Sequence, residues 1–340
     1  ISCPPHINAN ALVIIMFSVN KVTLWTMTGL LAITTIIFNV YTFIMSLLNC
    51  RQKKHWCASD IIIMALSVAS VIHQLLCYLF MTFDEVDSIC SITYIANVVT
   101  LLIIFSLKFT IMWDTSFLTF FYSTKLVSTP NHCYTKIQAA ILKHVNLVIL
   151  VIPLCGLGTC MPMLLVFNPD NHTTIEKDCE ALIPNSHSGR IYEIIYLLFS
   201  DIVPGILMVK CCISISVHLA IHLHHMKAST NGAHCPKLGS QMRVIQMALA
   251  LVVIFAIFLG VDLYVHYQIC VYQENVLMLT FFFTSVYTTV TAVVLIYGKK
   301  SLWKALIHDF NACLEKNPYL SCLQLPEEKA KTTTPTKVKN

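Results

Sequence analysis

Five ionisable side chains stand inside long apolar stretches of the sequence, where they could catalyse a reaction or bind a ligand: Lys108, Asp114, Asp201, Lys210 and Asp262. Catalysis at membrane depth needs paired titratable groups or several metal ligands close together. These five residues are far apart along the chain and are predicted to stand singly, which favours ligand binding over enzyme activity. A charge in hydrocarbon is costly, so each is expected to have a functional or a paired role.

A histidine-rich run, with His218, His222, His224 and His225, ends the fifth apolar stretch. His218 and His222 are four residues apart and share one helical face, a spacing that metal ligands use. The run lies at the end of its helix, where contact with a protein partner or ordering of the helix end explains it as well. We therefore predict no metal site and no cofactor.

The composition places these residues in a membrane protein. The chain has 340 residues, of which 56% are hydrophobic and 11% charged, and its mean hydropathy is +0.72. Soluble domains average about 25% charged residues, so the charges here are too few to cover a water-exposed surface. This excludes a soluble enzyme, a disordered scaffold and a nucleic-acid-binding protein.

Seven apolar segments are long enough to cross a hydrocarbon core, which is about 30 Å thick and needs about 20 helical residues. They are residues 23–48, 61–82, 96–124, 145–167, 191–221, 243–267 and 277–297. The sequence therefore predicts an all-α bundle of seven transmembrane helices. Its parts are an N-terminal segment (1–22), the bundle (23–298) and a C-terminal tail (299–340).

Basic residues predict the orientation of the bundle, because they concentrate on the cytoplasmic side. Of the 22 Lys and Arg residues, seventeen lie in residues 49–60, 125–143, 224–243 and the tail from 299, and three lie on the other side. The one N-glycosylation sequon, at Asn171, falls on that other side. We therefore expect an extracellular N-terminus, a cytoplasmic tail and a glycan on Asn171.

Seven helices in this orientation are typical of G-protein-coupled receptors and of retinal proteins. A retinal protein needs a Lys near the middle of its last helix for the Schiff base, and residues 277–297 contain none. A secondary transporter would usually show an internal repeat with paired broken helices, and none is recognisable. The Asp-Arg-Tyr and Asn-Pro-x-x-Tyr signatures of ordinary rhodopsin-like receptors are missing as well.

Three groups of residues near the predicted cytoplasmic ends keep a distinctive spacing. They are Trp113, Leu118, Phe121, Tyr122 and Lys125; Pro204, Leu219, His222, Leu223 and Met226; and Gly232, Pro236, Arg243, Gln246 and Phe255-Ala256-Ile257-Phe258. This pattern resembles that of the bitter taste receptors (type 2 taste receptors), and the resemblance runs from about Asn39 to Ala305. Ser70, Gln241, Thr291-Ala292 and Lys299 stand where that family has Arg, His, His-Ser and Asn, which indicates a divergent member.

The resemblance implies a receptor in the lipid of the plasma membrane. It would bind a small organic ligand from outside and activate a heterotrimeric G protein of the gustducin/Gi type, without a cofactor. The alternatives are a vomeronasal-type or other rhodopsin-like receptor and, from another class, a seven-helix transporter or channel.

The resemblance to the bitter taste receptors also implies which residues contact a ligand. The candidates are Ile104, Phe105, Lys108, Phe109, Tyr196, Ser200, Phe258, Asp262 and Thr284. Lys108 stands where the family usually has a pocket Asn, and Asp262, two helical turns after Phe255, can share that pocket. The alternatives are an ion pair between Lys108 and an Asp of a neighbouring helix, and a solvated Asp262 at the outer rim.

The same resemblance implies G-protein contacts at Tyr122, Lys125, His222 and Met226. Cys90 and Cys179 are both predicted outside. Rhodopsin-like receptors join such a pair by a disulfide, many bitter taste receptors do not, and Cys3 and Cys270 are competing partners.

Overall fold

The computed structural model describes residues 21–53, 57–86, 94–126, 136, 139–141, 143–166, 187–229, 239–272 and 277–315, which are almost entirely helical. The main helices are α1 (Lys21–Lys53), α2 (Ala58–Val86), α3 (Tyr94–Leu126), α4 (Val145–Cys160), α6 (Gly239–Tyr272), α7 (Leu277–Gly298) and α8 (Lys300–Glu315). A short helix, Pro162–Val166, follows α4. Helix α5 has three parts: His187–Leu197, a π-helical turn Leu198–Ile202, and Val203–Ser229.

Helices α1 to α7 are long and apolar enough to cross a membrane, which confirms the seven predicted segments. A helix satisfies its own backbone N–H and C=O groups by hydrogen bonding, and this is needed in a membrane because hydrocarbon offers no hydrogen-bond partners. Large apolar side chains such as Leu30 and Ile33 of α1 and Leu150 and Leu154 of α4 are exposed on the outside of the bundle. They form the surface that faces lipid.

Helix α3 lies at the centre of the bundle and packs against α2, α4, α5 and α6, while α7 closes the ring between α6 and α1. The end of the bundle at which α1 and α3 terminate is referred to below as the inner end. That name follows the predicted orientation, which stays a prediction.

Several hydroxyl groups on α7 bond within their own helix, so these groups cost little inside an apolar bundle. The side chains of Thr284, Ser285 and Thr289 donate to the carbonyl four residues earlier, at 2.6 to 2.7 Å. Thr289 also shares a hydrogen bond with Thr35 of α1. This bond joins the first and last spans of the bundle.

Two glycines allow neighbouring helices to approach closely. A Cβ on Gly156 of α4 would lie 2.9 Å from the backbone oxygen of Ser106 on α3. A Cβ on Gly298, at the end of α7, would overlap the side chain of Met247 on α6. Any larger residue at either position would push the two helices apart.

Helix α8 follows α7 after one residue, and the sequence reading did not foresee it. Its Leu302 and Leu314 are buried, whereas Lys304 is exposed. Apolar residues recur at helical spacing through Leu302, Leu306 and Phe310, which is the signal that could have revealed it.

Candidate functional site

Lys108 of α3 forms two buried ion pairs with carboxylates of neighbouring helices. Its Nζ lies 2.7 Å from Oδ2 of Asp262 on α6 and 3.3 Å from Oδ2 of Asp201 on α5. Lys108 and Asp262 are each 1% exposed, and Asp201 is fully buried. The expectation that membrane-depth charges stand singly is therefore wrong for these three residues, which are referred to below as the charged triad.

The charged triad continues toward the outer end through two residues that the sequence reading missed. His266 Nε2 lies 3.6 Å from Oδ2 of Asp262, and its Nδ1 lies 2.6 Å from Oε1 of Glu193 on α5. His266 follows Asp262 by four residues, so helical spacing places both on the same face of α6. That spacing was the available signal.

A π-helical turn in α5 holds Asp201. In this turn, Leu198–Ile202, the chain bonds five residues back, and the N–H of Val203 donates to the carbonyl of Leu198. The next residue, Pro204, has no N–H to donate. The carbonyl of Phe199, five residues before Pro204, is therefore open to a partner outside the helix, and such turns often occur at functional sites.

Helix α3 supplies hydrogen-bond donors to two backbone carbonyls of this segment. The indole Nε1 of Trp113 donates to the carbonyl of Phe199 at 2.9 Å. The hydroxyl of Ser116 donates to the carbonyl of Pro204 at 3.1 Å. These two bonds fix the widened turn of α5 against α3, which holds Asp201 within reach of Lys108.

Two aromatic rings flank the ammonium group of Lys108. Its Nζ lies 5.7 Å from the ring centre of Tyr196 on α5 and 5.5 Å from that of Phe258 on α6. Tyr196 is held in place by its hydroxyl, which donates to the carbonyl of Phe105 at 3.0 Å. Cations interact favourably with ring faces at such distances, so carboxylates and rings together surround the ammonium.

All nine predicted ligand-contact residues are buried. Six of them lie in or beside the charged triad: Phe105, Lys108, Tyr196, Ser200, Phe258 and Asp262. The other three make different contacts. Ile104 belongs to the apolar cluster of the outer half, Phe109 lies against α4 at Gly156, and Thr284 bonds the carbonyl of Thr280 on its own helix.

At the inner end of α3, Lys125 places its Nζ 4.5 Å from the ring centre of Phe121. Its charge also acts on Cys57, just before α2. Burial alone would raise the pKa of the Cys57 thiol. Hydrogen bonding to Ser59 and the charge of Lys125 lower it by more, so the pKa lies below the usual value.

His222 and Met226 belong to α5, but their side chains lie outside the described residues.

Lys299, at the inner end of α7, forms an ion pair with Asp60 of α2. The amide of Asn49 on α1 donates to the same carboxylate at 3.3 Å. Lys299 is one of the positions at which the sequence departs from the bitter-receptor pattern. Here its charge joins the inner ends of three helices.

The remaining predictions fall on residues that are not described. Asn171, Cys90, Cys179 and Cys3 lie outside the described ranges, and so does the side chain of Cys270. The glycan and the disulfide therefore stay predictions. Within the described residues, no group of three or more His, Cys, Asp or Glu side chains could hold a metal ion.

Two apolar grooves run along the outside of the bundle, and neither is lined by a residue of the charged triad. One, of about 590 Å³, lies between α6, α7 and α8 and is lined by Met247, Tyr297 and Trp303. The other, of about 470 Å³, lies between α5 and α6 beside Lys210 and Phe255.

One comparison with known proteins gives a match across most of the chain. A family model described as "Taste receptor protein (TAS2R)" matches residues 16–312. This range takes in all seven spans and most of α8. A search of curated protein sequences gives no match.

Proposed function

The chain belongs to the TAS2R family of taste receptors, and from that premise we propose that it is a bitter-type G-protein-coupled receptor. It is a multi-pass membrane protein, and the plasma membrane is the location expected for this family. In the proposed function a small organic ligand enters from the outside, and a heterotrimeric G protein of the gustducin/Gi type binds at the inner end.

The observation that best supports this proposal is the charged triad. It joins α3, α5 and α6 through buried ion pairs at 2.7 and 3.3 Å. A ligand that changes these contacts would favour one arrangement of the three helices over another, and such a population shift is how a receptor transmits binding without chemistry. Two aromatic rings and several apolar side chains around a few polar groups are also the usual composition of a small-molecule site.

The proposed G-protein surface lies at the inner ends of α3 and α5 and includes Tyr122, Lys125, His222 and Met226. Lys125 is the residue with which to test it, because its side chain lies on the ring of Phe121 and forms no ion pair with a carboxylate of the described residues. Removing its charge would leave the helix packing intact and change the inner surface.

The experiment is a calcium-mobilisation screen of small organic compounds in cells that carry the receptor with a taste-type G-protein chimera. We expect agonists that act only when the chimera is present. Lys125→Ala should weaken the response at equal surface expression, whereas Lys136→Ala, an exposed control in the same polar stretch, should not. Compound-induced currents or uptake in cells without the G protein would contradict the proposal.

A further inference from the structure

Each carboxylate of the charged triad uses one oxygen and leaves the other unbonded. Lys108 and His266 approach Oδ2 of Asp262, while Lys108 and Ser200 approach Oδ2 of Asp201. Both Oδ1 atoms are buried and lack a hydrogen-bond partner among the described residues. A buried oxygen without a donor is costly, so each of these two atoms could accept a hydrogen bond from one more donor group.

The charged triad itself contains more negative than positive charge. Two carboxylates, Asp201 and Asp262, share the single ammonium of Lys108. Buried charges are normally paired, so the second carboxylate favours a further cation.

The groups around Lys108 are those that recognise an ammonium ion. They are two carboxylates and the faces of two rings, Tyr196 and Phe258, at 5.7 and 5.5 Å from Nζ. Charge-assisted hydrogen bonds to carboxylates and cation–π contacts with ring faces both stabilise an ammonium ion. Lys108 already demonstrates that the site can hold one such group.

We propose that this is an ammonium-binding site which Lys108 fills only in part, and that the preferred ligands of the receptor are protonated amines. The N–H groups of the ligand would donate to the free Oδ1 atoms of Asp201 and Asp262. Two cations would then balance two carboxylates. This inference rests on the proposed function, because it names the ligand class of the same site.

The test compares 2-phenylethylamine with 2-phenylethanol, which differ in the ammonium group. Binding is measured as thermal stabilisation of the purified full-length receptor, and signalling as calcium release with the G-protein chimera. We expect the wild-type receptor to bind the amine about 10- to 100-fold more tightly, the range that one hydrogen bond to a charged group contributes.

Asp201→Asn and Asp262→Asn should each abolish this preference. Either change leaves Lys108 with one carboxylate, so a one-to-one ion pair remains and the bundle should fold. Asp114→Asn is the matched control, because Asp114 is also 1% exposed on α3 but has no ion pair with the triad. It should keep the preference of the wild type.

Equal binding of the amine and the alcohol by the wild-type receptor would overturn the ammonium site. So would a preference for the amine that survives in either Asn variant. If the amine stabilises the receptor selectively without releasing calcium, the site stands and the proposed signalling function fails. If neutral compounds release calcium and the amine shows no advantage, the signalling function stands and the site fails.

Discussion

At the scale of single residues, Lys108 supports the bundle as well as the proposed site. Lys108→Ala would leave two buried carboxylates without their cation, and breaking a buried ion pair in this way costs about 3–5 kcal/mol. We expect a clearly lower temperature of thermal unfolding for the purified receptor. Lys304→Ala, at an exposed position of α8 outside the spans, should change stability by about 0.5 kcal/mol or less.

Equal unfolding temperatures for Lys108→Ala and the wild type would show that the ion pairs contribute little to stability. Lys108→Arg distinguishes charge from shape. Because Lys108→Arg keeps a positive charge next to the carboxylates, it should unfold at a higher temperature than Lys108→Ala if the carboxylates need that charge.

Cys57 offers a second prediction at this scale, which tests the side-chain position of Lys125. The pKa of this thiol lies below the usual value, partly because the positive charge of Lys125 stabilises the thiolate. Lys125→Ala should therefore raise the pKa and slow the alkylation of Cys57 by iodoacetamide at neutral pH, where the thiolate is the reactive form. The measurement is the modified fraction of the Cys57 peptide by mass spectrometry.

The effect on Cys57 should disappear at high pH, where the thiol is ionised in both proteins. Lys136→Ala serves again as the control and should leave the rate unchanged. An alkylation rate unaffected by Lys125→Ala across the pH range would mean that the two side chains do not interact.

At the scale of elements, the contact between α3 and α5 depends on the carbonyl of Phe199, which Pro204 cannot bond because it has no N–H. Trp113→Phe would leave the carbonyl of Phe199 without its donor, and we expect a loss of about 0.5–1.5 kcal/mol. Trp25→Phe also removes an indole hydrogen bond, to the hydroxyl of Thr82. That hydroxyl already donates to the carbonyl of Tyr78, so this control should lose less stability.

Thermal unfolding of the two variants gives the comparison. If Trp25→Phe is the more harmful substitution, the indole bond to α5 is not what fixes the π-helical turn.

The apolar spans could be predicted from the sequence because each depends only on the length and composition of its own segment. For the charged triad, the sequence offered an ion pair between Lys108 and an Asp of a neighbouring helix as one alternative. It could not identify both partners, since Lys108 is 93 and 154 residues away from Asp201 and Asp262. The contacts depend on which helices pack together and on the position of Asp201 within the π-helical turn. The resemblance to the family pattern identified Lys108 and Asp262 as site residues, but it did not indicate that Asp201, Glu193 and His266 interact with them.

At the scale of the whole molecule, the orientation in the membrane can be tested directly. Asn171→Gln should abolish a glycosidase-sensitive shift in electrophoretic mobility, because the sequon is predicted to face the lumen during synthesis. An epitope tag at the C-terminus should be detectable only after cells are permeabilised. A C-terminal tag that is readable on intact cells would reverse the orientation.

The π-helical turn gives α5 one residue more than a regular helix would hold over the same stretch. Each residue rotates an α-helix by about 100°, and the π-helical turn accommodates its extra residue within a single wider turn that bonds five residues back. Deleting one residue between Leu198 and Ile202 would therefore restore a continuous α-helix and leave the rotational phase of His187–Leu197 nearly unchanged. Tyr196 and Glu193 would keep their places, whereas the residues within the turn, Asp201 among them, would move relative to Lys108. An in-frame deletion of a single codon would in this helix act locally, on the turn alone.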